Sequence, residues 1–258
     1  DMLKIKASYG TLGNQNLDRA YPSEPLLSNA YSAVFGKPSI IYPGYQLSYL
    51  PNPNLRWEKV EAWEAGFETN VLRNRLHFEG VYYKKRTKDL LAEVPGISGT
   101  VPGIGNLGEI ENMGVEMAAS WRDQIGDWGY SVSANLTTIK NKVKSLVQDG
   151  YSIIAGDKQQ SYTMAGYPIG FFYGYKVVYQ SQADIDASPE NTLATVTPGD
   201  LKFADVNKDG KITPEDRTMI GNPTPDFTYG LSLGVNYKNW SLGIDMMGQH
   251  GNEIFRTW

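Results

Sequence analysis

Seven segments of the chain alternate strictly between apolar and polar residues. The clearest example is Phe227–Tyr237, in which aromatic or aliphatic residues at every second position are separated by Thr, Gly, Ser and Asn. A period of two places the apolar set on one face of a β-strand. The pattern therefore predicts seven strands, over residues 3–9, 63–67, 76–82, 115–121, 128–136, 227–237 and 240–246.

The predicted strands are long enough to cross a membrane. Several cover about ten residues, whereas strands of globular proteins average about five or six, and a tilted strand needs about ten to cross a bilayer. Aromatic residues lie at the ends of the apolar stripe, as in the interfacial girdles of membrane barrels: Trp121, Trp128, Phe227, Tyr237 and Trp240. The charged residues at the polar positions are then expected to face the lumen: Lys4, Lys6, Glu64, Glu68, Glu79, Glu116 and Arg122.

The connections between these strands alternate in length. Short turns near 73–74, 123–127 and 238–239 alternate with long links over 10–56, 88–113 and 139–225. Short turns on one side and long loops on the other are typical of an outer-membrane barrel. The strand-like segment 170–180 has long segments on both sides, so we assign it to the large external loop 139–225.

Seven spanning strands is an odd number, whereas a bacterial barrel normally has an even number. An open sheet in lipid leaves edge N–H and C=O groups unsatisfied, at a cost of several kcal/mol each. The chain is therefore predicted to be part of a larger barrel.

Composition narrows the functional classes. The 258 residues include 24 Lys and Arg and 28 Asp and Glu, a net charge of −4, which argues against nucleic-acid binding because phosphate recognition requires a concentrated positive field. The absence of Cys excludes disulfides, thiol catalysis and zinc–thiolate sites. No run of about 18 apolar residues occurs, which excludes a transmembrane helix but not a membrane β-barrel.

Seven ordered motifs resemble the SusC/RagA family of TonB-dependent outer-membrane nutrient transporters. They cover nearly the whole chain, at residues 3–16, 52–68, 82–91, 108–121, 166–180, 198–237 and 248–255. The resemblance implies an all-β fold, an antiparallel segment of a large transmembrane β-barrel with long external loops. A barrel of about 22 strands, as in this family, is wide enough for a plug to fill its lumen.

The same resemblance implies a function and its partners. The expected function is TonB-dependent import of oligosaccharides or peptides across the outer membrane of a Gram-negative bacterium, with a SusD-like surface lipoprotein and no enzymatic activity. Residues 1–258 are expected to form part of the barrel, and the plug and the TonB box are expected to lie outside them. The alternative is a secreted, Ca²⁺-stabilised β-sandwich for carbohydrate binding or adhesion, whose apolar faces would pack against each other.

The segment 205–216, within the 139–225 loop, resembles an EF-hand loop. Suitable residues occupy the positions that wrap Ca²⁺ in oxygen ligands: Asp205, Asn207 and Asp209 at positions 1, 3 and 5, Gly210 at 6, the Lys211 carbonyl at 7 and Asp216 at 12. Asp at position 12 replaces the usual Glu, and no amphipathic helices flank the segment. We predict Ca²⁺ binding that stiffens the loop, with a metal-free Asn/Asp/Gly turn as the alternative.

Two further groups of titratable residues were candidates for catalysis. Glu109 and Glu111 would face the same way on a strand and, with Glu116, suggest the paired carboxylates of a glycosidase, although solvated carboxylates are far commoner. His77 belongs to the lumen-facing set, His250 follows the last strand, and no nucleophile-elbow motif accompanies them. No catalytic residue is predicted.

Aromatic residues cluster in the 139–225 loop. Three interpretations are open: a platform for sugar or peptide, a contact surface for the lipoprotein, or the packing core of the loop, which is the commonest role of such sets. The cluster comprises Tyr162, Tyr167, Phe171, Phe172, Tyr173, Tyr175 and Tyr179. None of them is assigned as a substrate ligand.

Overall fold

The computed structural model describes residues 1–15, 17, 21–94, 102–147, 150–156, 159–174 and 181–256. These residues form the strands β1 Met2–Asn14, β2 Leu27–Phe35, β3 Ile40–Leu47, β4 Glu58–Val71, β5 Leu76–Lys88, β6 Leu91–Val94, β7 Gly103–Asn106, β8 Gly108–Ile125, β9 Trp128–Thr138, β10 Lys140–Leu146, β11 Ser152–Ala155, β12 Ser161–Met164, β13 Phe171–Gly174, β14 Glu190–Asn191, β15 Lys211–Ile212, β16 Thr218–Gly221, β17 Phe227–Tyr237 and β18 Trp240–His250. The short helix α1 is Gln182–Asp186, and a 3₁₀ turn covers Pro214–Asp216. Among the described residues, no helix has the length and apolar character needed to cross a membrane.

Seven long strands form one continuous antiparallel sheet, which we call the wall. Its order is β1-β4-β5-β8-β9-β17-β18, and these are the seven strands that the alternation predicts. Residues 72–75, 126–127 and 238–239 form the short turns at one end. The three long connections all leave from the opposite end. The predicted strands and their connections are therefore confirmed.

The wall strands extend further toward the long loops than the apolar alternation indicates. β5 continues to Lys88 and β8 begins at Gly108, where charged residues replace apolar ones at the outward positions. β10 follows β9 after a break at Ile139 and pairs with the same strand β8. Gly114 lies opposite this break, where a Cβ atom would overlap the Thr138 carbonyl oxygen. Only glycine fits this position without moving the strand.

One face of the wall is apolar and uncovered. Ile5 is 81% exposed and Trp240 is 79% exposed, and large apolar side chains on inner strands, such as Tyr82 and Val132, are exposed as well. No second layer of the described residues packs on this face. The β-sandwich alternative requires this face to be buried within the molecule, so that alternative is wrong.

The long connections contain small sheets of their own, which the sequence analysis did not predict. They are the hairpins β2–β3 and β6–β7, the parallel pair β14–β15, and a four-stranded loop sheet in the order β11-β12-β13-β16. β13 pairs with β12 and β16, so the described part of segment 170–180 lies in the loop, as the alternation of connection lengths predicts. Residues 175–180 lie outside the described residues. Fully buried apolar side chains occur in and beside these loop elements: Leu107, Val143, Phe171 and Ile212.

Candidate functional site: the membrane wall and the external loop

The apolar face of the wall has the height of a membrane band. β17 has 11 residues, and the ten rises between its first and last residues, at about 3.4 Å each, span about 34 Å. A tilt of about 45° reduces this to about 24 Å, close to the roughly 25 Å apolar band of membrane barrels. The dimensions match those of strands that cross a bilayer.

Aromatic side chains border this band at both ends. The upper girdle, at the long-loop end, comprises Tyr9, Trp63, Tyr82, Phe227 and Tyr229, and the lower girdle comprises Trp121, Trp128, Tyr237 and Trp240. Tyr9 packs on Trp63 with ring centroids 4.2 Å apart, and Trp128 stacks on Tyr237 at 4.4 Å. At these heights the Trp and Tyr rings place an apolar body in lipid and an N–H or O–H group in water. All five aromatic residues that the sequence analysis assigned to girdles lie in these two rows.

The opposite face of the wall carries the predicted lumen-facing charges. Register places Lys4 opposite Glu68, which in turn lies opposite Glu79, and Glu68 forms an ion pair with Lys6. Ser8 donates a hydrogen bond to Glu64. Because a charge facing hydrocarbon costs about 2–4 kcal/mol at the midplane, this face must be turned away from lipid.

The three glutamates considered for catalysis do not converge. Glu109 and Glu111 share the apolar face, beyond the upper girdle, where Arg86 Nε lies 3.0 Å from Glu109 and Lys84 Nζ lies 3.0 Å from Glu111. Glu116 pairs with Val81 across the β5–β8 ladder and lies on the lumen face. The arrangement is that of structural ion pairs rather than of a paired acid and nucleophile.

The two histidines lie at opposite ends of the wall. His77, near the lower girdle, has Nδ1 2.7 Å from Asn70 Oδ1. His250 is the last residue of β18, and its ring lies 5.2 Å from that of Phe227. The sequence analysis placed His250 after the strand. That placement is wrong because the β17–β18 ladder continues to the Phe227–His250 pair.

The described part of the aromatic cluster packs against itself. Phe171 and Tyr162 are buried, with Tyr167 at 4.7 Å from the Phe171 ring and Tyr173 at 4.8 Å from the Tyr162 ring. Phe172 contacts Phe255 instead, at 5.8 Å. The geometry favours the packing-core interpretation. Tyr175 and Tyr179 lie outside the described residues.

The structure brings three of the predicted calcium-loop side chains onto one turn. Asp205 accepts hydrogen bonds from the backbone N–H groups of Asp209 and Gly210, at 3.2 and 2.8 Å. Asn207 Oδ1 accepts from the same Asp209 N–H at 3.0 Å, and Asp209 Oδ1 accepts from Lys211 N–H at 2.8 Å. Gly210 has a φ of +83°, which L-residues rarely adopt. The loop therefore curls around these side chains.

Asp216 is held by backbone donors. It is 1% exposed, and its carboxylate accepts a hydrogen bond from Thr213 N–H at 2.7 Å, which closes a capping box on the 3₁₀ turn. The carboxylate also accepts from Val206 N–H at 2.9 Å and Asn207 N–H at 3.4 Å. These backbone donors, Thr213 first, hold the pKa of Asp216 below its ordinary value. Within the described part of the chain, no group of three or more His, Cys, Asp or Glu side chains is arranged to hold a metal ion.

Comparison with known proteins identifies the family. A profile described as "TonB dependent receptor-like, beta-barrel" matches residues 1–249. The chain belongs to the TonB-dependent receptor β-barrel family. Its curated relatives include TonB-dependent receptor P3 of Formosa agariphila, 34% identical over 97% of this chain and 26% of that protein. TonB-dependent receptor SusC of Bacteroides thetaiotaomicron is 27% identical over 98% of this chain and 25% of that protein.

Solved structures show the same fold. The RagAB peptide importer in the "closed-closed" state superposes with a TM-score of 0.74 at 24% identity, over 98% of this chain and 27% of that chain. The TonB-dependent receptor family consists of outer-membrane β-barrels of Gram-negative bacteria, so the predicted fold and localisation are confirmed. This chain spans about a quarter of the length of the curated relatives it matches.

The sequence analysis missed one set of residues on this receptor wall. Beyond the upper girdle, the outward positions of four neighbouring strands are charged, and we call this set the outer charged band: Lys59, Glu61, Lys84, Arg86, Lys88, Glu109, Glu111, Lys140 and Lys142. The sequence itself shows part of this set, because positions 84, 86 and 88 continue the every-second-residue spacing that includes Tyr82. A search for apolar alternation does not find these positions because they are charged.

Proposed function

We propose that the protein containing this chain imports oligosaccharides or peptides across the outer membrane, driven through TonB and assisted by a SusD-like surface lipoprotein. The observation that carries the proposal is the two-faced wall, whose apolar face lies between two aromatic girdles while its other face carries charges. The relatives named SusC and RagAB support it. In this proposal the chain contributes wall strands and the loops around the mouth.

The loop architecture suits a mouth that must keep its shape. The loop sheet encloses Phe171, and the turn between β12 and β13 is joined to β10 by backbone hydrogen bonds between Val143 and residues 166–167. A packed loop presents a fixed surface to a lipoprotein without ordering itself on contact. We propose no chemical conversion of the substrate by these residues.

The test uses the full-length receptor in its native outer membrane. The receptor gene is deleted and restored, and uptake of labelled oligosaccharides and peptides is measured with and without an uncoupler of the proton gradient. The receptor is also isolated from detergent-solubilised membranes through an affinity tag. We expect uptake that needs both the receptor and the gradient, and a lipoprotein at equal stoichiometry. Unchanged uptake of every substrate after deletion, with no lipoprotein in the isolate, would overturn the proposal.

We further propose that Ca²⁺ binds the 205–216 segment. The support is the turn that gathers Asp205, Asn207 and Asp209, together with the position of the Lys211 carbonyl in the sequence pattern. Asp216 accepts backbone N–H groups, so its contribution would be to hold the ends of the segment together. Bound Ca²⁺ would stiffen the loop near the mouth.

Calorimetry on the full-length receptor tests the calcium proposal. Titration with CaCl₂ is expected to give heat in the wild type and none in Asp205→Ala plus Asp209→Ala. Asp200→Ala is the matched control, because Asp200 lies in the same external loop but outside the segment and bonds to Thr197. Equal heats in the wild type and the double variant would show that the segment is a metal-free turn.

A further inference from the structure

The outer charged band is a network of ion pairs with cations in excess. Glu61 lies 3.0 Å from Lys59 and 2.9 Å from Lys88, so one carboxylate serves two ammonium groups. Glu111 likewise serves Lys84 and Arg86, at 3.0 and 3.3 Å. An ammonium has three donors and a guanidinium has five. The cations of the network therefore keep N–H groups that can be directed at a further anion.

Two lysines extend the band onto β10. Register places Lys140 opposite Met113 and Lys142 opposite Glu111, and both lysines are exposed. With them, the band as defined holds six cations and three carboxylates, in a chain whose net charge is −4. The excess of positive charge is thus concentrated on one surface of an acidic chain.

The position of the band determines what covers it. Lys84 follows Tyr82 by two residues on the same face, a distance of about 7 Å along the strand. The band therefore begins where the lipid-facing stripe ends. On a barrel wall, the material next to this surface is the outer leaflet, and its headgroups lie at the height of the aromatic girdle.

An apolar groove adjoins the cations on the membrane side. The groove is shallow and open, with a volume of about 500 Å³, and its lining is mostly apolar: Ala7, Tyr9, Trp63, Ala65 and Tyr82, with Ser8 and Glu64. Tyr82 is directly below Lys84 on β5. A groove for hydrocarbon beneath a set of cations matches a molecule with an anionic head and acyl chains.

We propose that the outer charged band is a binding site for a phosphorylated outer-leaflet glycolipid of the lipid A type. Lys84, Lys140 and Lys142 contact its phosphates, and an acyl chain occupies the groove between Tyr9, Trp63 and Tyr82. Phosphate is the favoured anion because it accepts several hydrogen bonds from Lys and Arg at once. The site depends on the wall facing lipid and not on any imported substrate, so failure of the import proposal leaves it intact.

Lipid binding to the full-length receptor tests the proposal. Delipidated receptor in phosphatidylcholine nanodiscs is titrated with bisphosphorylated lipid A and with the same lipid A after enzymatic removal of both phosphates. Lys140→Gln plus Lys142→Gln is expected to weaken binding of the phosphorylated form about 25-fold, since each lysine near a membrane surface contributes about fivefold. The dephosphorylated lipid is expected to bind the wild type and the variant equally weakly.

The matched control removes the same charge from the other face. Lys4→Gln plus Lys85→Gln changes two lysines that strand register places on the lumen face, Lys4 opposite Glu68 and Lys85 opposite Ala62, and is expected to leave lipid A binding unchanged. Affinity of the wild type should also fall steeply as salt is raised, which tests the charge contribution without any variant. Equal binding of the two lipid forms, or displacement of lipid A by inorganic phosphate at the same phosphate concentration, would overturn the proposal.

Discussion

The wall and the loop sheet use the same kinds of apolar residue and cover them in opposite ways. In the wall, Ile5 and Trp240 are about four-fifths exposed, whereas in the loop sheet Phe171 has no exposed surface. The loop sheet is covered by other elements of the same chain, among them β10. The wall has no such cover, because lipid supplies it. Accessibility to water thus separates the part of this chain that is built for a bilayer from the part that is built for water.

Polar groups show the same contrast. In the wall, charges are sorted by face and by height, and the outer charged band begins only beyond the upper girdle. In the loop, Asp216 is buried yet satisfied by backbone N–H groups. A buried polar group without a partner costs several kcal/mol in lipid and less where water reaches it. The wall therefore excludes charge from its apolar band, while the loop can enclose it.

Truncation of Phe171 is expected to give the largest effect. Phe171→Ala removes a fully buried ring and should destabilise the loop sheet by about 3–5 kcal/mol. Hydrogen exchange of the full-length receptor should show lost protection over residues 161–174 and unchanged protection in β17. Ile154→Ala, at an exposed position of the same sheet, is the control. A similar loss in both variants would mean that the loop sheet has no core.

A charge in the middle of the apolar band tests the lipid side of the comparison. Leu233→Arg places a cation in the outward row of Val132 and Ile244 and should destabilise the receptor in phospholipid vesicles by about 2–4 kcal/mol. Urea unfolding in vesicles measures this. Ser232→Arg changes the neighbouring residue on the lumen face and should have a much smaller effect. Equal destabilisation would contradict the assignment of faces.

The stacked pair of the lower girdle should contribute less. Trp128 and Tyr237 have ring centroids 4.4 Å apart, and such pairs contribute about 0.5–1.5 kcal/mol beyond their burial. A double-mutant cycle with Trp128→Leu and Tyr237→Leu, followed by unfolding in vesicles, isolates this coupling. Additive effects of the two substitutions would show that each ring interacts with lipid alone.

The effect of Asp216 should be local and dependent on pH. Its pKa is lowered by the N–H donors of Thr213 and Val206, so its stabilisation is present above the unfolded pKa of about 3.9. That stabilisation is lost as pH falls through the lower pKa of the folded state. Hydrogen exchange of residues 205–216, corrected for intrinsic rates, should be faster in Asp216→Asn than in the wild type at pH 6. The difference should shrink at pH 3, and a difference independent of pH would exclude the carboxylate as its cause.

Sequence reasoning succeeded where one physical cause controls the pattern. Lipid on one side and a polar lumen on the other impose a period of two, so the wall strands and the turn at residues 238–239 follow from the residue order. The predicted strand β5 ended at Tyr82, whereas the strand continues to Lys88. Beyond the membrane the outward positions can be charged, so the apolar alternation ends before the strand does. The β2–β3 hairpin was missed for a different reason. Its strands contain no charged residue and do not alternate strictly between apolar and polar positions, so no period of two marks them.

The candidate metal loop shows the same limit at the level of single residues. The spacing of Asp205, Asn207 and Asp209 is local, and the structure gathers them as that spacing implies. Asp216 occupies position 12 of the same pattern, where Glu is usual, yet it bonds to Val206 and Thr213. Which backbone donors reach a carboxylate depends on how the loop closes, and a linear pattern does not contain that information.

The order of residues alone determined the seven strands, the side of each that meets lipid and the end from which the long loops leave, because these depend on periodicity and on a solvent outside the chain. Only the tertiary structure decided which strands continue beyond the membrane, that Lys140 and Lys142 join the cations of β5 on one surface, and that Phe171 is enclosed. Those properties arise from register between strands distant in sequence, where a neighbour across the sheet decides what a side chain touches.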